Sequence, residues 1–158
     1  MSTLSVDTIQ GQTTAANVKM PAGSILQTVQ GSTDTAMSSA STSYSDTGLT
    51  ATITPKYSSS KILVRISQHY RFDRYGWSIK IVRGSTDVHV PVNNYMVYST
   101  DLNSDTRNFL NYEVLDSPSS TNALTYKTQV ILHQSSGTNL ILNGNDFFSF
   151  MTLMEISQ

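Results

Sequence analysis

The closing stretch of the chain, residues 147–157, reads FFSFMTLMEIS and limits the possible folds more than any other segment. In an extended strand, alternate side chains point to opposite faces. One face would carry Phe148, Phe150, Thr152, Met154 and Ile156, and the other would carry Phe147, Met151, Leu153 and Glu155. Both faces are largely apolar, so both are expected to be covered. Because a thin antiparallel sandwich has only one interior, we predict that a second subunit covers the other face.

Short runs of alternating apolar and polar residues continue this pattern through the chain from Ser24 onward, as is typical of strands. The clearest runs are residues 48–55, 61–69, 75–83 and 124–133. Their predicted inward side chains are Leu49, Ala51, Ile53, Ile62, Val64, Ile66, Trp77, Ile79, Ile81, Leu124, Tyr126, Thr128, Val130 and Leu132. These side chains would form one core.

No stretch beyond Ser24 has helical periodicity, and the turn signals delimit about eight to ten short strands. Ser78 and Lys80 are predicted to point away from the core, and Asn143-Gly144 has the composition of a tight hairpin turn. The predicted fold class is therefore all-β, an antiparallel β-sandwich. A two-faced strand at the end of the chain favours a jelly-roll-like arrangement over an immunoglobulin-like one.

The composition excludes several classes of function. Charged residues make up 13% of the chain, the net charge is −1, and no cysteine is present. A chain with this charge has no electrostatic footprint for nucleic acid, and without thiols it has no disulfides. No apolar run approaches the ~20 residues that cross a bilayer, and the first residues lack the pattern of a signal peptide. We therefore expect neither nucleic-acid binding nor membrane insertion.

Candidates for chemistry are few. His69, His89 and His133 are not spaced as zinc ligands, and no nucleophile or phosphate-binding motif occurs. Each histidine is predicted to be a partly exposed strand residue. The prediction is a protein that is not an enzyme and has no cofactor or metal.

Two aromatic segments stand out as candidate contact surfaces. Residues 70–77 read YRFDRYGW, and residues 93–98 read NNYMVY. Aromatic rings beside planar donors are typical of glycan or protein contacts. In the alternative interpretation, the aromatic side chains alternate into the core and the charged residues form a solvated turn. The contact candidates are Arg71, Asp73, Arg74, Tyr75, Asn94, Tyr95 and Tyr98.

The first 23 residues differ from the rest because they lack strand periodicity and carry little apolar surface. They are either a flexible terminus or a docking segment that becomes ordered on a partner. The predicted organisation is an extended segment, residues 1–23, followed by one sandwich domain, residues 24–158.

The sequence between Val6 and Gln30 resembles a known family. The run begins with Val6-Asp7-Thr8-Ile9 and continues, after a small polar stretch, with Met20-Pro21-Ala22-Gly23-Ser24, Ile25-Leu26 and Gln27. Two later pieces match in the same order, Thr47-Gly48-Leu49 with Ile53-Thr54-Pro55, and Ser59-Ser60-Lys61-Ile62-Leu63-Val64. These motifs, over about the first 65 residues, resemble bacteriophage tail fibre and virion structural proteins. The remainder is similar only in style.

The resemblance implies a homotrimeric fibre in the virion, made in the host cytoplasm, whose N-terminus binds other tail or baseplate proteins. The implied attachment residues are Leu4, Val6, Ile9, Met20 and Pro21, and the predicted trimer-interface residues are Phe148, Phe150, Met151, Leu153 and Met154. The contact candidates would then face a host surface glycan or protein. Two alternatives remain open, a head fibre or capsid decoration protein that binds other capsid proteins, and a carbohydrate-active tail protein with paired carboxylates.

Overall fold

Eleven strands, and no helix, make up the part of the chain that the computed structural model describes, residues 20–90, 95–100, 105–134, 139–144 and 147–158. The strands are β1 (Ile25–Thr33), β2 (Met37–Ser39), β3 (Ser45–Ile53), β4 (Lys61–Phe72), β5 (Tyr75–Arg83), β6 (Thr86–His89), β7 (Val97–Ser99), β8 (Thr106–Asp116), β9 (Leu124–Leu132), β10 (Leu140–Leu142) and β11 (Ser149–Ile156).

The strands form two antiparallel sheets that pack face to face. Sheet A runs in the order β1-β11-β4-β8, and β10 and β2 continue it beside the far end of β4. Sheet B runs in the order β3-β9-β5-β6, with β7 beside β5. The longer strands thus switch repeatedly between the sheets, which is the arrangement of a jelly roll. The predicted fold class is confirmed.

The core lies between the two sheets and contains the side chains that the alternation pattern identified. Except for half-buried Leu124, all the predicted inward residues of the four clear runs are at most 6% exposed. Ser78 is a correction, because it is 1% exposed although it points away from the core. Met96, just before β7, contacts it, and the amide of Met96 donates a hydrogen bond to its hydroxyl at 3.4 Å.

The predicted hairpin turn at Asn143-Gly144 is wrong. Strands β10 and β11, on either side of it, both run antiparallel to β4, so the chain does not reverse between them. Both residues have positive φ, 57° and 68°, which asparagine and glycine tolerate in any irregular segment as well as in hairpins. Phe147 and Phe148, just before β11, lie at the surface.

A buried polar network links Asn143 to both sheets. Gln68 donates to Asn143 Oδ1 at 3.2 Å and accepts from the hydroxyl of Thr128 at 2.9 Å. Asn143 donates to the carbonyl of Thr47 at 2.8 Å. All four residues are at most 1% exposed. Because polar groups buried without partners are costly, these bonds specify one position for Asn143 at the end of β10.

The two sheets come into close backbone contact where β1 passes β3, at Gly31. A Cβ atom at Gly31 would lie 1.9 Å from the carbonyl oxygen of Thr50, which is backbone and cannot rotate away. We therefore expect Gly31→Ala to lower the free energy of unfolding by about 1–3 kcal/mol, the usual cost of overpacking. Denaturant titration measures the change, and Ser32→Ala at the next, exposed position serves as the control. Equal stabilities of the two variants would contradict the expected clash.

The sandwich has two ends that face opposite ways along β4. At the basal end, Gly23 donates to the carbonyl of Ser157 at 2.8 Å, and Ser157 donates to the carbonyl of Ser24 at 2.9 Å. Residues 20–23, assigned from sequence to the extended segment, therefore lie against the sandwich. At the distal end, β4 and β5 are joined by Asp73 and Arg74. The twelve residues of β4 separate the ends by about 36 Å at ~3.3 Å per residue.

Candidate functional site

The aromatic segment at residues 70–77 is divided between the core and the distal end. Tyr70, Phe72 and Trp77 are at most 8% exposed and pack edge to face, with ring centroids 5.0 Å apart for Tyr70 and Trp77. They belong to β4 and β5, so the aromatic side chains do alternate into the core. The residues between these rings remain as candidates at the surface.

An exposed cluster of charges lies on β4 and β8 at the distal end. Arg71 forms an ion pair with Asp105, and Arg107 contacts the other oxygen of the same carboxylate at 2.8 Å. Hydrogen bonds from Arg107 and Arg71 lower the pKa of Asp105 to about 2. Asp105 therefore stays ionised at neutral and weakly acidic pH, and its ion pair holds Arg71 close to the start of β8.

The two residues of the turn between β4 and β5 are both held by side-chain contacts. Asp73 accepts hydrogen bonds from the amide of Asn139 at 2.8 Å and from its side chain at 2.6 Å. The guanidinium of Arg74 lies over the ring of Tyr75, 5.4 Å from its centroid. Tyr75 has a φ of 66°, a conformation that is strained for an aromatic residue. Strain of this kind is concentrated at contact and binding sites.

A pair of exposed tyrosines lies beside this turn, on the outer face of sheet B. Tyr95 and Tyr98 stack with centroids 4.8 Å apart and an angle of 28° between the rings, and they are 48% and 54% exposed. The ring of His133 meets Tyr95 edge-on at 4.8 Å. We call Tyr95, Tyr98, His133 and the underlying Gly76 the tyrosine platform.

Six of the seven contact candidates thus come together at the distal end. They are Arg71, Asp73, Arg74, Tyr75, Tyr95 and Tyr98. Asn94 lies outside the described residues. His133 and Gly76 were not identified from sequence as part of this site, because His133 lies outside both aromatic segments and Gly76, although within residues 70–77, has no side chain. The one sequence feature that could have pointed to His133 is its position at the end of the strongly alternating run 124–133.

The outer face of sheet A carries the exposed side of the closing strand. Phe148 and Phe150 stack at 6.1 Å and are 49% and 37% exposed, and Met154 is half-buried. Met151 and Leu153 are a correction to the predicted interface, because both are 0% exposed within the sandwich. Side chains alternate along a strand, so only the even-numbered residues of β11 reach this face.

Sequence reasoning missed the contribution of the neighbouring strands to the same face. Leu115 pairs with Leu63, and Leu63 pairs with Met154, which makes an apolar row across three strands toward the basal end. Phe109 on β8 and Phe147 lie toward the distal end and are 36% and 43% exposed. The register between strands, which no single segment reveals, combines these side chains into one surface.

A polar band crosses the middle of this face. Gln30 donates to the hydroxyl of Thr152 at 3.0 Å, and Arg65 pairs with Glu113 at 3.2 Å. These four residues and Phe150 line a shallow depression of about 640 Å³. Glu113 is the one carboxylate among the residues that line it, whereas glycosidic hydrolysis uses a pair. The depression therefore offers half of the machinery that a carbohydrate-active protein needs.

One of the three histidines is not partly exposed as predicted. His69 is 1% exposed, because Phe147 stacks on its ring at 4.6 Å and Phe109 meets it at 5.4 Å. Burial lowers the pKa of His69, and the nearby charge of Arg107 lowers it further. His89 packs on Tyr112 at 4.5 Å. Both histidines therefore contribute to aromatic packing.

The attachment candidates fall at the edge of the described chain. Leu4, Val6 and Ile9 lie outside the described residues, and Met20 and Pro21 are exposed at the basal end. Across the described ranges, no three histidine, aspartate or glutamate residues gather as metal ligands. The same ranges contain no helix that is long and apolar enough to span a membrane.

Comparison of the chain with protein-family models gives no match, and comparison with curated proteins gives none at a significant level.

Proposed function

We propose that this protein is a tail fibre protein of a bacteriophage that forms a trimer, attaches by its N-terminal segment and contacts the host cell surface. One observation carries the proposal: the chain joins the sandwich at the basal end, while the contact candidates gather at the distal end. A fibre needs this polarity, because its attachment and its host contact must face opposite ways. The motifs between Val6 and Val64 support the same class of protein.

The proposed trimer forms through the outer face of sheet A. Exposed or half-buried aromatic and aliphatic side chains occur there on three adjacent strands, and single soluble subunits seldom present such a surface without a partner. Three copies of a weak distal contact act together, and linkage of this kind raises the apparent affinity by about 10²–10⁴. Each distal site can therefore be small.

Removing residues 1–19 tests the attachment. We expect the shortened protein to fold and assemble normally, because the hydrogen bonds between residues 20–24 and Ser157 remain. It should fail to join particles when it is supplied to a phage that lacks the full-length gene. Circular dichroism and immunoblots of purified particles measure the two effects, with the full-length chain as the control.

Three other results would revise the proposal. An unfolded truncated protein would place residues 1–19 in the core. Normal incorporation would place the attachment elsewhere. Immunogold labelling of the head instead of the tail would favour a head fibre or capsid decoration protein.

A further inference from the structure

The tyrosine platform presents an aromatic ring face to solvent. Tyr95 stacks on one face of the Tyr98 ring at 4.8 Å, and Tyr98 remains 54% exposed, which leaves much of its ring available for contact. Burying a ring of this size is favourable, and leaving two such rings exposed side by side sacrifices that gain. An exposed stacked pair at the distal end therefore indicates a surface for a ligand.

The backbone beneath the platform holds the pair in place. A Cβ atom at Gly76 would lie 1.7 Å from Cδ1 of Tyr95, so the Tyr95 ring rests directly on the strand. His133 closes the side of the ring, and its Nε2 lies 3.0 Å from the hydroxyl of Ser78, which is buried. A rigid, preorganised surface loses little entropy when it binds. The contacts of Tyr95 with Gly76 and His133, and of His133 with Ser78, preorganise the platform in this sense.

The size and charge of the platform indicate which ligand it takes. A stable protein interface buries about 1,600 Å², whereas two tyrosines offer at most about 150–250 Å² each. The platform is thus too small for a protein partner by itself, but it matches one or two sugar rings. The platform contains no Lys, Arg, Asp or Glu, and its hydroxyl and imidazole groups can hydrogen-bond to a polyol at the edge of the rings.

We propose that the tyrosine platform is a saccharide-binding subsite that takes a neutral pyranose, with the C–H face of the sugar against the ring of Tyr98. This inference rests on the proposed function for the source of the sugar, a glycan of the bacterial surface. Stacking requires a flat ring, so an aliphatic side chain of similar size cannot replace Tyr98.

Saturation-transfer NMR on the full-length protein tests the subsite directly. The probes are the methyl glycosides of glucose, galactose, mannose, rhamnose and N-acetylglucosamine. We expect transfer to the ring C–H protons of at least one probe. Tyr98→Leu should weaken its binding by about tenfold or more, while Tyr98→Phe stays within about threefold of the wild type. No transfer to any probe, or equal binding by Tyr98→Leu, would overturn the proposal.

Gly76→Ala provides a second variant that leaves both tyrosines in the chain. The added methyl group must displace the Tyr95 ring from its seat on β5, and because that ring lies at the surface and outside the core, the fold should survive. We expect a loss of saccharide binding similar to that of Tyr98→Leu, at an unchanged melting temperature. Undiminished binding by the folded Gly76→Ala protein would contradict the role of the platform.

Adsorption of whole particles separates a sugar from a protein partner. Periodate cleaves vicinal diols of surface glycans, and protease removes surface proteins. We expect periodate treatment of host cells to abolish adsorption and protease treatment to spare it, while the opposite result would overturn the sugar assignment. Glycoside binding is measured on the isolated protein, so its failure is distinct from a failure to find the protein on the tail.

Discussion

Phe150→Asp is expected to convert the proposed trimer into monomers. Phe150 stacks on Phe148 at 6.1 Å, and both rings are substantially exposed on the outer face of sheet A. Burying one such side chain contributes about 1.5–3 kcal/mol, and a trimer buries three copies of each. A carboxylate at this position would have to be buried without a partner, at a cost of several kcal/mol per subunit.

Sedimentation equilibrium at micromolar concentration measures the change in mass. Met154→Asp, on the same face of β11, should act in the same direction. Tyr98→Asp is the matched control, because it replaces a ring of similar exposure on the outer face of sheet B and should leave the mass unchanged. A wild-type protein that sediments as a monomer would eliminate the proposed interface.

Replacing Glu155 is expected to have the largest effect on stability within one subunit. Its carboxylate is 0% exposed in β11 and accepts hydrogen bonds from Gln27 at 2.6 Å and from the amide of Lys56 at 2.7 Å. The amide of Tyr57 donates at 3.3 Å to the same Glu155 oxygen that accepts from the amide of Lys56. Glu155→Ala leaves these donors without their acceptor, so we expect a loss of about 3 kcal/mol or more.

The same carboxylate makes stability depend on pH. Burial by itself raises the pKa of Glu155, but the hydrogen bonds it accepts outweigh burial and hold the pKa below its ordinary value. The unfolded chain then binds the proton at a higher pH than the folded one. The contribution of Glu155 is therefore complete above about pH 4.5 and is lost as the pH falls through the folded pKa.

Denaturant titrations between pH 7 and pH 3, at a fixed protein concentration, check this dependence. Glu155→Gln should be less stable than the wild type at pH 7, and the difference should shrink as the pH falls below about 4.5. Asp34→Asn, at an exposed turn, is the control and should follow the wild type. A difference that stays constant down to pH 3 would show that the charge of Glu155 is not responsible.

The motifs that carry the family resemblance have a structural role at the basal end. Gln27 donates both to Glu155 and to the carbonyl of Thr54, at 2.6 Å and 2.7 Å. Residues 53–55 and 59–64, which also carry the resemblance, lead into and out of the loop whose amides bind the same carboxylate. These motifs therefore lie where the sandwich closes at its basal end, beside the N-terminal segment.

Local alternation in the sequence was enough to predict the fold class and most of the core. Period-two patterning, as in Leu49, Ala51 and Ile53, is imposed by strand geometry alone, so a single segment reveals which side chains point inward. The same rule exposed the second apolar face of β11. It could not separate Met151 from Phe150 as interface residues, because alternation does not say which face meets the core.

Only the tertiary structure decided what lies beside what. Pairing of β4 with β8 unites Phe109 and Leu115 with the closing strand, and pairing of β5 with β7 sets Tyr98 beside Gly76. These contacts join residues that are distant in sequence, and they depend on strand order and register, which local periodicity does not encode. The sequence by itself therefore determined the sandwich and its candidate residues, whereas packing determined the two ends, the shared outer face and the tyrosine platform.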